Sequence, residues 1–141
     1  MSNRDRGILL DTHTWIWLFN GSTELSQAAI KEIDQAGSRG EVFISAISVW
    51  ELSMLVAKER VTLSKPIGEW VKDSLNQPGV NLSAMSPEIS IESSFLPGDF
   101  HGDPADRIIV ATARINSLIL HTRDKKILKY AQHSYINCFE I

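Results

Sequence analysis

Short apolar runs that read as strands alternate with longer segments of helical period along the whole chain, and no other feature restricts its fold as tightly. Parallel neighbours in a sheet cannot be joined by a tight turn. They need a crossover of a dozen or more residues, so regular alternation predicts βαβ units and an α/β fold with a mostly parallel central sheet. Strands are expected at residues 8–11, 42–45, 80–84, 118–121 and near 135–139. Between them, helical patterns run through 15–19, from a Ser26 cap to about 36, then over 46–59, 66–76, 87–95, 104–116 and 125–132. Asn20-Gly21, Gly37 with Gly40, Pro78-Gly79 and Pro97-Gly98 punctuate these segments, and Pro66 suits a first helical turn. Four to five strands flanked by helices follow, with no repeat and no low-complexity tract.

A chain of 141 residues with 43% hydrophobic residues is the size and make-up of one domain spanning 1–141. No apolar run approaches the roughly 20 residues that cross a bilayer. The segment from Met1 to Arg6 passes directly into a strand rather than into a signal-peptide core, so a cytoplasmic protein is expected. Cys138 is the single cysteine, has no thiol companion for a zinc site, and reads as a small apolar residue of the terminal strand. The net charge of −3 excludes a general nucleic-acid coat but not a nuclease, because bound cations reverse the local field. Basic residues cluster at Arg107, Arg123, Lys125, Lys126 and Lys129, a pattern that also fits a solvated helix face.

Four carboxylates each read as sitting where a strand hands over to a helix: Asp11 after Ile8-Leu9-Leu10, Glu51 after Val42-Phe43-Ile44, Asp106 opening Ile108–Arg114, and Asp124 after Leu118-Ile119-Leu120. In an open α/β sheet, residues just beyond the carboxyl ends of separate strands converge in one crevice. Gathering carboxylates there costs repulsion unless a cation neutralises them, and oxygen-only ligands suit Mg²⁺ or Mn²⁺. At 3.6 residues per turn, Glu51 shares a helix face with Ile47, Met54 and Leu55, and Asp106 with Ile109, Val110 and Ala113. An inward carboxylate is expensive unless paired, capped or metal-bound. The pattern points to metal-dependent chemistry on phosphate esters.

Helix capping is the competing explanation for each acid. Asp11 and Asp124 stand where caps are common, Ser48 and Glu51 have capping-box spacing, and Asp103-Pro104-Ala105-Asp106 reads as an N-cap, a first-position proline and a third-position acid. Thr122 could hold a ligand water or simply satisfy its own loop. His13, His101 and His121 lie near these motifs but share no spacing, and they read as structural or solvent-facing. Trp15, Trp17, Leu18 and Phe19 are too bulky to face one core together. Their excess, with Trp50, is a candidate apolar patch for a partner helix or a second subunit.

Taken in order, Ile8-Leu9-Leu10-Asp11-Thr12, Ser45-Ala46-Ile47-Ser48 followed by Glu51-Leu52, Asp103-Pro104-Ala105-Asp106-Arg107 with Ile109-Val110-Ala111-Thr112-Ala113, and Thr122-Arg123-Asp124 resemble a PIN-domain ribonuclease, in particular the toxins of VapBC-type toxin–antitoxin pairs. The likeness covers essentially the whole chain. It implies a PIN-like three-layer fold, an endoribonuclease using Mg²⁺ or Mn²⁺, inhibition by a small cognate antitoxin, and a homodimer. It also implies an acidic site of Asp11, Glu51, Asp106 and Asp124, with metal on Asp11, Asp106 and Asp124. Thr122 and Asp103 would support that site, and Arg107 and Arg123 would contact substrate. Whether Asp103 binds metal or orients Arg107 stays open.

Two other classes compete with this reading. A phosphatase with an aspartyl nucleophile also starts from a strand ending in Asp, but needs a second acid two residues on, where this chain has His13. A catalytically inactive module that keeps the fold for protein interaction would carry the same motifs, as would a PIN nuclease outside any toxin–antitoxin pair. Nothing in the sequence is a base-reading motif that would identify the RNA.

Overall fold

Strands buried on both faces lose the alternation of apolar and polar residues, and Ile8, Leu9 and Leu10 are all buried in β1 (Ile8–Leu10). A computed structural model describes residues 6–141; the charged lead-in read at residues 1–5 lies outside the described residues. β1 pairs on one side with β2 (Val42–Ser45), which pairs with β3 (Val80–Ser83). On its other side lies β4 (Ile119–Thr122), followed by β5 (Asn137–Glu140). Every pairing is parallel, and the order is β3-β2-β1-β4-β5.

Helices fill the connections: α1 (Thr12–Phe19) and α2 (Gln27–Ser38), then α3 (Ala46–Ala57) and α4 (Ile67–Leu75), then α5 (Pro87–Ser94) and α6 (Pro104–Ile115), and finally α7 (Lys125–Ala131). The expected elements are all present with ends shifted by a few residues, largest at the first helix, which starts at Thr12 because Asp11 caps it. Gly79 turns into β3 at φ 85, and a Cβ there would stand 2.1 Å from the Gly37 carbonyl oxygen, so only glycine fits this approach of α2 to the strand.

The two sheet faces carry separate cores. Leu9 and Leu120 pack with Ile89 of α5, Ile109 and Val110 of α6 and Ile127 of α7. Ile8, Leu10, Val42 and Ile44 pack on the other face with Trp15, Ile33, Leu52 and Trp70. Period-two alternation along β1 thus assigns neighbours to opposite layers, giving the three-layer arrangement.

Core packing takes up most of the bulky residues on α1. Trp15 is wholly buried, edge-to-face on Trp70 at 5.1 Å, and Leu18 and Phe19 pack against the same core. Trp17 belongs to neither core. The large apolar residues most open to solvent lie elsewhere, on Trp50 of α3, Ile91 of α5 and Phe95 just beyond it.

The strand order fixes where a site can form. The chain steps outward from β1 to β3 and then returns to the far side of β1, so its direction reverses between β1 and β4. The crevice beyond the carboxyl ends of those two strands is where an open parallel sheet collects its ligands.

Candidate active site

Asp11 follows β1 directly and Asp124 stands two residues beyond β4, so both open onto this crevice. Asp11 is the N-cap of α1: its Oδ1 accepts from Thr12 N at 2.8 Å. Its Oδ2 accepts from the Thr122 hydroxyl at 2.6 Å, and that hydroxyl in turn accepts from Asp124 N at 3.0 Å. Thr122 therefore links the two acids. Asp124 caps α7, accepting from Lys126 N at 2.8 Å and Ile127 N at 3.1 Å. A further tie runs from the Thr14 hydroxyl to the His121 carbonyl at 2.9 Å, clamping α1 to β4.

Glu51 stands in the second turn of α3, inside the helix and not at a strand end. Ser48 does not cap α3; Ser45 does, its hydroxyl accepting from Ile47 N. The wholly buried Ser48 hydroxyl instead pairs with Thr12 Oγ1 at 2.8 Å, which fixes α3 against the start of α1 and sets Glu51 facing Asp11. Spacing alone could not reveal this contact, because its partner lies 36 residues away.

Asp103 and Asp106 occupy the first turn of α6, which follows α5 and a loop and not a strand. The cap is as the spacing predicts: Asp103 Oδ1 accepts from Asp106 N at 3.0 Å, with Pro104 opening the helix. Asp103→Ala should therefore cost about 0.5–2 kcal/mol in urea denaturation, whereas Asp103→Ser should keep most of that stability. Equal stability of both variants with wild type would remove the capping role.

His101 Nε2 lies 3.2 Å from Asp106 Oδ2, a close polar contact without the alignment of a hydrogen bond. His101 is one of the three histidines near the acidic motifs that read as structural or solvent-facing, and its side chain stands against one of the acids. Arg107, expected to contact substrate, is held by the loop before α6. Its guanidinium donates to the carbonyls of Ser93, Phe100 and His101, so its donors brace the loop before α6. His121 is buried, stacked on Phe139 at 4.7 Å, and burial pulls it down to about 4.

The acids share one field. Burial raises the pKa of Asp11, opposed by the Thr122 hydroxyl and the Thr12 amide. Burial likewise raises Glu51, and the charge of Asp11 adds to it. Asp106 is pushed up to about 7, through burial first and then the charges of Asp103, Asp11, Asp124 and Glu51. Overlapping carboxylate fields of this kind are what a divalent cation relieves. As placed, no three of the described acids, histidines or cysteine stand close enough to share one ion. Asp11 and Asp124 are turned to their caps, yet each carboxylate oxygen keeps a second lone pair. The donor set is oxygen-only and hard, and it suits Mg²⁺ or Mn²⁺.

Beside the acids lies an open groove of about 330 Å³, lined by Asp11, His13, Thr14, Trp17, Arg123 and Asp124. Arg123 hydrogen-bonds Glu24 Oε2 at 2.6 Å and the Glu24 carbonyl, and lays its guanidinium over the Trp17 ring at 4.9 Å. A smaller cavity of about 180 Å³ reaches His121, Cys138 and Phe139 from beneath α2, but none of the four acids opens into it.

The arrangement has counterparts among known proteins. A family model described as the PIN domain matches residues 8–132. Ribonuclease VapC22 of Mycobacterium tuberculosis is 34% identical over 120 residues, spanning 85% of this chain and 88% of that protein. Among solved structures, VapBC2 from Rickettsia felis bound to a promoter DNA fragment superposes with a TM-score of 0.69 at 15% identity, covering 94% of this chain and 96% of that one. FitAcB from Neisseria gonorrhoeae gives 0.64 at 23% identity, covering 94% and 96%. The two structures share the fold, and the family match with the VapC22 relationship settles the lineage: this chain belongs to the PIN-domain family.

Proposed function

We propose that the protein is an endoribonuclease dependent on Mg²⁺ or Mn²⁺, with Asp11, Glu51, Asp106 and Asp124 as its acidic site, and that it is the toxin of a type II toxin–antitoxin pair. The reading is supported by the tie of Asp11 to Asp124 through Thr122 at the crevice between β1 and β4, and by Asp106, which burial first and then the charges of Asp103, Asp11, Asp124 and Glu51 push up to about 7. Its 34% identical relative is named a ribonuclease, which supports the choice of substrate.

Asp11, Asp106 and Asp124 would hold the cation, and Glu51 would complete the site directly or through water. Such a cation, when bound, lowers the pKa of water at neutral pH and offsets charge on a phosphodiester. The residues of this chain do the rest. Thr122 fixes the rotamer of Asp11 and the backbone of Asp124, the Thr12–Ser48 pair fixes the angle of Glu51, and the Asp103 cap with the Arg107 brace fixes the start of α6. Positioning of this kind keeps metal ligands from swinging out of a crowded site. No side chain need form a covalent bond to the substrate.

The working assembly in this reading is cytoplasmic, with a homodimer and an antitoxin as partners. Among the described residues no helix is long and apolar enough to cross a membrane. The exposed Trp50, Ile91 and Phe95 supply apolar surface for protein contacts, and an antitoxin entering the acidic groove would present Arg or Lys in place of the cation. Expression of the wild type alone should arrest growth, Asp11→Asn should relieve the arrest, and co-expression of a small protein encoded beside it should relieve it too. Normal growth at a confirmed soluble level, with no small partner recovered, would leave a PIN nuclease outside any toxin–antitoxin pair.

A further inference from the structure

We propose that the groove next to the acids is a stacking subsite for one unpaired RNA base, walled by Trp17 and His13 and braced by Arg123. It rests on the ribonuclease reading and narrows its substrate to RNA that is single-stranded or looped beside the scissile phosphate.

Trp17 is the starting point. It is a large aromatic residue on a helix whose neighbours Trp15 and Ile16 are buried, yet it joins neither hydrophobic core and stays half-exposed. His13 precedes it by four residues, so the two rings stand one turn apart on the same face of α1, 5.7 Å between centroids. His13 is exposed. Two rings inclined at 50° to each other at a groove wall, with no core to fill, offer aromatic surface to a third flat group.

Arg123 fixes that surface. Its guanidinium covers the Trp17 ring at 4.9 Å, and the Glu24 side chain and carbonyl hold it there. The indole therefore meets a ligand without first losing much rotamer freedom. The same guanidinium is the one cation among the residues lining the groove, placed where a phosphate running past Asp11 and Asp124 would need positive charge. The groove, about 330 Å³, falls in the size range of small-molecule sites and takes one base with its sugar. Its other wall is Asp11 and Asp124, so a base seated on Trp17 leaves the adjoining phosphate at the acids.

Stacking explains the lack of base-reading hydrogen bonds. Every base has a π-face, so an aromatic wall selects for accessibility and not for identity, and a base inside a duplex is closed to it. Specificity for a particular RNA would then come from which loop offers an unstacked base beside a cleavable phosphate.

The test uses the full chain with Ca²⁺ in place of Mg²⁺ and a labelled single-stranded oligoadenylate, together with versions carrying an abasic residue at each position in turn. Anisotropy gives the affinities. Trp17→Ala should weaken binding of the intact strand by about tenfold, and Trp17→Phe should recover most of the loss. At one position the abasic residue should weaken wild type by a similar factor and leave Trp17→Ala unaffected, whereas a purely structural Trp17 would lower all strands alike. A duplex of the same sequence should bind without regard to Trp17. Equal binding by wild type and Trp17→Ala, or equal losses at every abasic position, would overturn the subsite. If Trp17→Ala fails to fold by thermal melting, His13→Ala and Trp17→Phe against the abasic series decide the question. Cleavage with Mg²⁺ is read separately. An absence of cleavage counts against the ribonuclease, whereas a cleaving enzyme indifferent to Trp17 counts against the subsite alone.

Discussion

Asp11→Asn, Asp106→Asn and Asp124→Asn should each lower the rate of metal-dependent RNA cleavage by about two to three orders of magnitude while leaving the fold intact. That is the scale on which removing a single electrostatic stabiliser lowers kcat. Each change removes ligand charge and almost no volume, so neither core on the two sheet faces should notice it. The variants differ in their secondary costs. Asparagine at 11 or 124 keeps an oxygen that can cap the helix, and at 11 it keeps an acceptor for the Thr122 hydroxyl. Asp106 accepts no such bond, so Asp106→Asn is the cleanest test of charge. Circular dichroism and melting of the same samples separate catalysis from folding. Retained cleavage in all three would remove the acids from the mechanism.

The metal-free protein should lose stability as pH rises from about 4 to about 7, and Asp106→Asn should reduce that loss. The folded protein holds the Asp106 proton up to about 7, against an ordinary value of 3.8, so between those values the folded state binds more protons than the unfolded. Stability therefore falls with rising pH across this window and levels off above it. A fully buried carboxyl moved this far would account for about 4 kcal/mol. Solvent still reaches part of Asp106, and screening reduces the expectation to about 2 kcal/mol. That corresponds to a melting temperature lower by roughly 5–10 °C at pH 8 than at pH 4.5, before the raised Asp11 and Glu51 are counted. Saturating Mg²⁺ should reverse the trend, because an ion binds the deprotonated site and stabilises the folded state in proportion to its occupancy. A metal-free melting temperature flat across this range would mean that the acids are too far apart to interact.

How far a feature is legible in the sequence depends on how local its cause is. Strand-to-helix alternation, the Ser26 cap, the Asp103-Pro104 opening of α6 and the capping competence of Asp11 and Asp124 depend on neighbours a few residues away. Those features were legible. For Asp11 and Asp124 the cap and the acidic site are not rival explanations, since one carboxylate can cap its helix with one oxygen and face the crevice with another lone pair. Ser48 was misread as half of a capping box because the spacing fits, while its true partner, Thr12, is reached only when α3 folds against α1. Arg107 misled for a similar reason. A cation next to a catalytic acid in sequence points one residue, about 100°, around the helix, and here that direction leads to three loop carbonyls. On α1, the count of bulky residues exceeded what one face can hold, but which of them would stay outside the core depended on Trp70, contributed from α4.

The most direct test of the acidic site is a titration of the metal-free protein with Mn²⁺ at pH 7.5, followed by calorimetry and by the electron paramagnetic resonance of free Mn²⁺. Wild type should bind the ion with release of protons, Mg²⁺ should compete for the same site, and Asp106→Asn should bind far more weakly with little proton release. RNA cleavage should rise with the same occupancy. Saturable binding that survives Asp11→Asn, Asp106→Asn and Asp124→Asn alike, or cleavage undiminished after the metal is removed, would contradict the account.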